Sequence, residues 1–312
     1  MSFRRFLKTP GGGRSIGCPK CQDGISEVLV DPGTTNPDEA WQRLSCKHSV
    51  KEVEPFDPSS PKEKGYTRFV CISDTFSRTD YMPAIPDGDV LLHTGNFSNL
   101  GIPREVEAFN EFLGKLPHRY KIVVAGHHEV TFDPQLMTDR NSHVFISFAA
   151  ALEEVEEEAW KDSRQMLTNC TYLEDEEVKV QGFRIYGTPW TPGAGDWAFT
   201  LARGQACLDK WDKIPHGIDI LLTHGPPLGY CDLGQDATHE GCVELLNTVR
   251  KRVKPKYHVF GHIPEGHGIT SNGTTNFINA SICTRNYKPA NQPIVFDLPT
   301  PKVPTVEAES SV

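Results

Sequence analysis

TRFVCISD (67–74) is a short apolar run, rich in β-branched residues, that ends in an aspartate. A run of that length suits a strand buried on both faces, with its terminal Asp placed where the chain leaves the sheet. The arrangement recurs in DVLLHTGNF (89–97), KIVVAGHHE (121–129), DILLTHGPP (219–227) and YHVFGH (257–262). Each apolar core passes at its C-terminal end into polar or glycine-containing sequence.

Helical stretches separate these strands. PREVEAFNEFLGKLP (103–117) puts Val106, Phe109, Phe112, Leu113 and Leu116 on one face, with Pro103 at its start. A second precedes Thr168 and includes EEVEEEAW (153–160), read as a solvated acidic face rather than a metal site. A third, CVELLNTVRKRV (242–253), ends in basic residues that suit a helix C-terminus. KVQGFRIYGTPW (179–190) and GITSNGTTNFINAS (268–281) read as further strands with glycine turns. Strands alternating with helices predict a layered α/β domain, in which ligands gather at the carboxyl ends of the strands. Polar residues recur at those ends here.

The pattern begins at Tyr66. Residues 1–65, rich in Pro, Gly, Ser and charge, read as a flexible or loosely docked arm, 66–299 as the domain, and 300–312 as a disordered tail. Within the arm, Cys18 and Cys21 in GCPKC, with Cys46 and His48, could close a tetrahedral zinc site. A net charge of −9 argues against general nucleic-acid binding, which needs clustered Lys and Arg. No apolar run approaches the roughly 20 residues of a membrane span. The start MSFRRFLKTPGGGR lacks an apolar core, and nine scattered cysteines suit reduced thiols, so a cytoplasmic location is expected. The same start is basic and free of acids up to Asp23, which leaves a transit peptide open.

In order, the strand ends give D-T-F (74–76), G-N (95–96), G-H-H-E (126–129), H-G (224–225) and G-H-I-P (261–264). This resembles the calcineurin-like metallophosphoesterase series D-x-H, G-D, G-N-H followed by D or E, H, and G-H-x-H. GYTRFVCISDT, KIVVAG, GFRIYGTPW, THGPPLGY and VFGHI are similar to the metallophosphoesterase domain-containing branch of that superfamily, itself related to class III cyclic-nucleotide phosphodiesterases. The resemblance covers roughly residues 66–299. It implies a layered α/β metallophosphoesterase fold, two central mixed β-sheets packed face to face and flanked by helices. It also implies hydrolysis of phosphate esters by two divalent ions that clamp the phosphate and activate water between them.

Carried over by position, the first ion would use Asp74 and residues 76, 96 and 264. Those three are Phe76, Asn96 and Pro264. Phe and Pro offer no donor atom, and Asn offers one neutral oxygen. The second ion would use Asn96, His127, His224 and His262, with His127 where the family has Asn. The resemblance therefore implies one divalent ion (Zn, Mn or Fe) rather than two, with His128 in the leaving-group position. It implies a small-molecule phosphate ester or nucleotide as substrate, with weak or mononuclear activity. The alternative is an inactive relative that binds nucleotide, phosphate or a protein partner. His267 could stand in for residue 264 but reads as a loop histidine, and His93 reads as structural. Trp190 and Tyr230 could wall a pocket, though packing explains them nearly as well, and Asp232 could cap a loop.

Overall fold

The computed structural model describes residues 27–302, apart from 154, 157–159, 162 and 194. Among the described residues, fourteen strands follow in chain order. They are β1 Lys51–Glu52, β2 Tyr66–Ile72, β3 Val90–Thr94, β4 Tyr120–Val124, β5 Thr171–Tyr172, β6 Glu176–Val180 and β7 Phe183–Thr188. The remainder are β8 Thr191–Pro192, β9 Thr200–Leu201, β10 Ile220–Thr223, β11 Tyr257–Phe260, β12 Gly268–Ser271, β13 Asn276–Asn279 and β14 Ile294–Pro299. One mixed sheet has the order β14-β2-β3-β4-β5 and the other β1-β12-β13-β11-β10-β7-β6; β8 and β9 pair separately.

The period-two alternation of side chains assigns each strand residue to a layer. Phe69, Cys71, Val90, Leu92, Ile122 and Val124 of the five-stranded sheet meet Ile185, Ile220, Leu222, Val259 and Ile278 of the seven-stranded one in a common core. Their neighbours Val70, Leu91 and Val123 point the other way, onto Val106, Phe109 and Leu113 of helix Pro103–Lys115. On the outer face of the larger sheet, Leu221, Phe260 and Phe277 pack against Leu245, Leu246 and Trp211 from the helices Val243–Thr248 and Gln205–Trp211. The layers are therefore helix, sheet, sheet, helix, as the resemblance implies.

All five motif-bearing runs form strands, and the residues expected at their ends follow them immediately. The stretch before Thr168 breaks into short helices at Pro134–Thr138, His143–Ser147 and Ala149–Leu152, because Asp133 and Ser142 each cap a new start. Much of the acidic run 153–160 lies outside the described residues. Within the stretch read as an arm, helix Pro37–Leu44 starts at the Asn36 cap and buries Ala40 in the outer core of the larger sheet. Lys51 and Glu52 extend that sheet by antiparallel pairing with β12.

Candidate metal centre

The loops after β2, β3, β4, β10 and β11 converge at one end of the sheets. Several of their residues hold left-handed backbone without being glycine, among them Asp74 (φ 53°), Phe76 (φ 42°), Asn96 (φ 54°) and His262 (φ 71°). Such conformations cost an ordinary L-residue roughly 1–2 kcal/mol and persist where the surroundings over-determine them. Gly95 has φ 101°, and a Cβ there would lie 2.6 Å from both the Ala125 carbonyl oxygen and His224 Nδ1. The close approach of His224 to β3 depends on that glycine.

Asp74 is buried, and its carboxylate accepts three hydrogen bonds. Oδ1 accepts from Asn96 Nδ2 at 2.9 Å, and Oδ2 accepts from the His262 N–H at 2.9 Å and from Ser281 Oγ at 3.0 Å. Asn96 is held from both sides, because its Oδ1 accepts from the His128 N–H at 3.0 Å. The amide oxygen expected to face an ion is turned to the backbone, and the amide nitrogen lies where a second carboxylate would stand in the family pattern. Phe76 fills the neighbouring position with its ring edge-on to His128 at 5.0 Å and to Tyr287 at 4.8 Å. Pro264 lies on the pocket rim.

The other half of the site is different. His127, His224 and His262 bring one ligand atom each to within 4.8 Å of one another. His224 Nδ1 donates to the Thr94 carbonyl at 2.8 Å, which leaves its Nε2 lone pair facing His127 Nδ1 at 3.0 Å. Two nitrogens bound tetrahedrally to one zinc at about 2.05 Å stand about 3.3 Å apart, so this spacing suits a shared ion. His262 Nδ1 is buried with no protein partner, and an orphaned ring nitrogen in such a place fits a ligand. Burial, reinforced by neighbouring imidazoles, holds His127 well below the ordinary histidine range and His262 at about 3. Burial also takes His224 to about 4. All three are thus in the neutral, lone-pair form that binds metal. The three imidazoles form a donor set that fits a divalent ion, whereas the Asp74 carboxylate already accepts three hydrogen bonds.

His128 lines the pocket and donates through Nδ1 to the Asn99 carbonyl at 2.8 Å, leaving Nε2 as the free nitrogen. The pocket holds roughly 190 Å³ and opens into a polar groove of roughly 570 Å³, with Pro264, Glu265, Thr284 and Arg285 common to both.

Other residues complete the site. Trp197 packs its ring 4.5 Å from His128 and 5.6 Å from His127. Glu129 is fully buried and accepts from the N–H groups of Gly126, Asn96 and Ser98 and from Ser98 Oγ, tying the β3 and β4 loops together. Burial pushes its carboxyl up to about 7 against the pull of those donors. Glu129 was visible as the last letter of G-H-H-E, whereas Trp197, Ser281 and Tyr287 lie in loops with no periodicity to place them.

The remaining residues singled out in the sequence lie apart from this pocket. His267 donates to the Gln292 carbonyl in the adjoining groove, and His93 bonds Thr75 in the core. Trp190 lies under the Lys210 ammonium, and Tyr230 stacks on Phe277. Asp232 accepts from His239 and from the Gly241 N–H, closing a loop. Of the arm's zinc candidates, Cys18 and Cys21 lie outside the described residues. Cys46 is exposed, and both ring nitrogens of His48 are partnered, with Tyr230 Oη at 3.4 Å and Arg250 Nη1 at 3.2 Å. Burial, then the Arg250 and Lys251 charges, lowers His48 to about 4.

The calcineurin-like phosphoesterase family model matches residues 67–266, the span that carries Asp74, Asn96, His127, His128, His224 and His262. The chain belongs to that family. This phosphoesterase-family chain is 51% identical over 289 residues to a mouse protein named metallophosphoesterase domain-containing protein 1, covering 90% of the chain and 88% of the relative. The human protein of the same name is 52% identical over 283 residues, covering 88% and 86%. A UPF0046 protein of Caenorhabditis elegans is 44% identical over 281 residues, covering 88% and 96%. Among the described residues, no helix is long and apolar enough to cross a membrane.

Proposed function

We propose that this family member is a metal-dependent phosphodiester hydrolase of low turnover. It acts on small nucleotide-type substrates with one divalent ion (zinc, manganese or iron) at His127, His224 and His262. The observation that carries this reading is the contrast within the site: three neutral imidazoles converge while the Asp74 carboxylate is engaged by three donors. An ion held there supplies Lewis acidity and positive charge toward a phosphate oxygen. Asp74 acts as a positioning residue, fixing the Asn96 amide and the His262 backbone. His128 presents Nε2 to the pocket, where it can take or return a proton at the ester oxygen; burial lowers its affinity for that proton, so the neutral form dominates near pH 7. Phe76 and Trp197 flank His128 and limit water around it. The chemistry belongs to residues 66–299. Free thiols at every described cysteine support a reducing compartment such as the cytoplasm.

A second reading, an inactive relative that binds a nucleotide, phosphate or a protein partner, is favoured by the Asn96–Asp74 hydrogen bond, which closes the first ion's position. Metal analysis of purified protein, paired with hydrolysis of bis(p-nitrophenyl) phosphate in Mn²⁺, Zn²⁺ or Co²⁺, separates the two. The expected result is up to one ion per chain, lost in His224→Ala, with slow metal-dependent turnover. Two tightly held ions would sink the mononuclear reading, and no hydrolysis with any metal would leave the second.

A further inference from the structure

The candidate centre lies beyond the carboxyl ends of the strands, and a separate concavity lies at their opposite ends. Lys254 precedes β11 and the turn at Asn272–Thr275 precedes β13, two strands that run parallel. Between these segments and residues 47–49 is a pocket of roughly 350 Å³. Lys47, Arg250 and Lys254 line it, together with the neutral groups of Ser49, Asn272 and Thr274, and no carboxylate does. Among the described residues, none of the three cations takes part in a salt bridge. On a chain of net charge −9, unpaired positive charge gathered in one concavity needs a reason.

Basic residues at a helix C-terminus complement its dipole, and that accounts for part of the run Arg250–Arg252. Arg252 is spent on the Trp211 and Ile214 carbonyls. Lys47 ends the turn Ser45–Lys47 that continues helix Pro37–Leu44, so two helix C-termini bring their cations to one concavity, and the dipole does not account for the backbone of Lys254. Lys254 ends the helix in left-handed conformation (φ 49°, ψ 53°), a position that favours glycine. A lysine there costs backbone energy, yet its ammonium reaches no described protein acceptor. Arg250 is oriented without being neutralised, because it donates to the Lys47 carbonyl at 3.0 Å and to His48 Nε2 at 3.2 Å.

We infer that this pocket binds a small polyphosphorylated anion, which clamps residues 47–49 onto the helix end at 249–254. Three cations match two or more phosphate charges, and an immobilised guanidinium is suited to phosphate oxygens. The hydroxyl and amide groups supply neutral donors. The acidic remainder of the surface repels an extended polyanion, so the ligand is compact.

Calorimetric titration of the intact chain with tripolyphosphate, and with inorganic phosphate and sulfate for comparison, tests this. Tripolyphosphate should bind at one site, tightest of the three, and weaken as salt rises. Lys254→Gly and Lys47→Ala should each weaken it about tenfold, the scale of one charge-assisted hydrogen bond. Because glycine suits the left-handed position, Lys254→Gly removes the ammonium without straining the fold. His224→Ala, in the other pocket, should leave the affinity unchanged. Binding that survives the double change Lys47→Ala with Lys254→Gly, or that disappears in His224→Ala, would overturn the assignment. So would equal, weak binding of all three anions. Proteolytic cleavage near residues 45–50 should slow when tripolyphosphate is bound, and an unchanged rate would refute the clamp.

Discussion

At Asn96 a single amide is engaged at both ends. Its nitrogen donates to Asp74 and its oxygen accepts from the His128 backbone, so the carboxylate is satisfied without a cation. Asn96→Asp would set a second carboxylate against Asp74, at the 2.9 Å now spanned by a hydrogen bond. In chelator this variant should lose about 1.5–3 kcal/mol of stability, the cost of a charge-assisted bond replaced by like charge. Mn²⁺ should restore much of that loss, whereas the parent protein should respond less. Thermal melts with and without chelator decide it, and an unchanged melting temperature in chelator would show that the Asn96–Asp74 bond contributes nothing. Phe76→His combined with Asn96→Asp and Pro264→His should raise metal-dependent turnover. A triple variant as inactive as the parent would mean that these positions do not carry the family's roles.

Strands and their ends were the most legible elements, because a buried strand shows itself as a compact apolar run and its functional residue follows at once. TRFVCISD and YHVFGH each place their motif residue, Asp74 or His262, two positions past the end of the strand. The histidine trio was readable by motif order alone. Trp197, Ser281 and Tyr287 were not, since loop residues owe their position to tertiary contacts that leave no period in the sequence. The segment before β2 shows the same limit from the other side. Its helix packs through Ala40, Trp41 and Leu44, a face of one turn that is too short to stand out as a period, so composition gave little sign that it packs on the larger sheet. A charge at Ala40 cannot be accommodated in that contact. Ala40→Asp should release helix Pro37–Leu44 and speed proteolysis between residues 45 and 65, with little change in the unfolding of the sheets. Simultaneous loss of the whole fold would show that the segment is integral to the core.

For the molecule as a whole, buried neutral histidines set the response to acid. His93 and His258 lie in the core, and burial lowers both to about 3. The unfolded chain takes up protons on these groups near 6.5 while the folded chain does not. Stability therefore rises with pH across the window between about 3 and 6.5, and falls as pH drops through it. From pH 7.5 to pH 5, His258 alone should cost about 2 kcal/mol. Urea titrations at the two pH values check this. His258→Phe, which keeps a ring against Phe260 and Phe277, should flatten the slope by a similar amount, and an equal slope in both proteins would contradict the assignment.

The left-handed turns at Asp74, Asn96 and His262 are in place although Phe76, Asn96 and Pro264 depart from the family's motif residues. A framework that keeps its costly shape while its side chains vary is a casting mould. Designers seeking a new metalloenzyme rarely obtain backbone already bent toward a common point, and here positions 76, 96, 127 and 264 can be recast without moving a strand. Libraries at those four positions, selected for metal-dependent chemistry outside phosphate esters, should still give folded proteins, because Glu129, Gly95 and Ser281, which are not varied, also hold the turns.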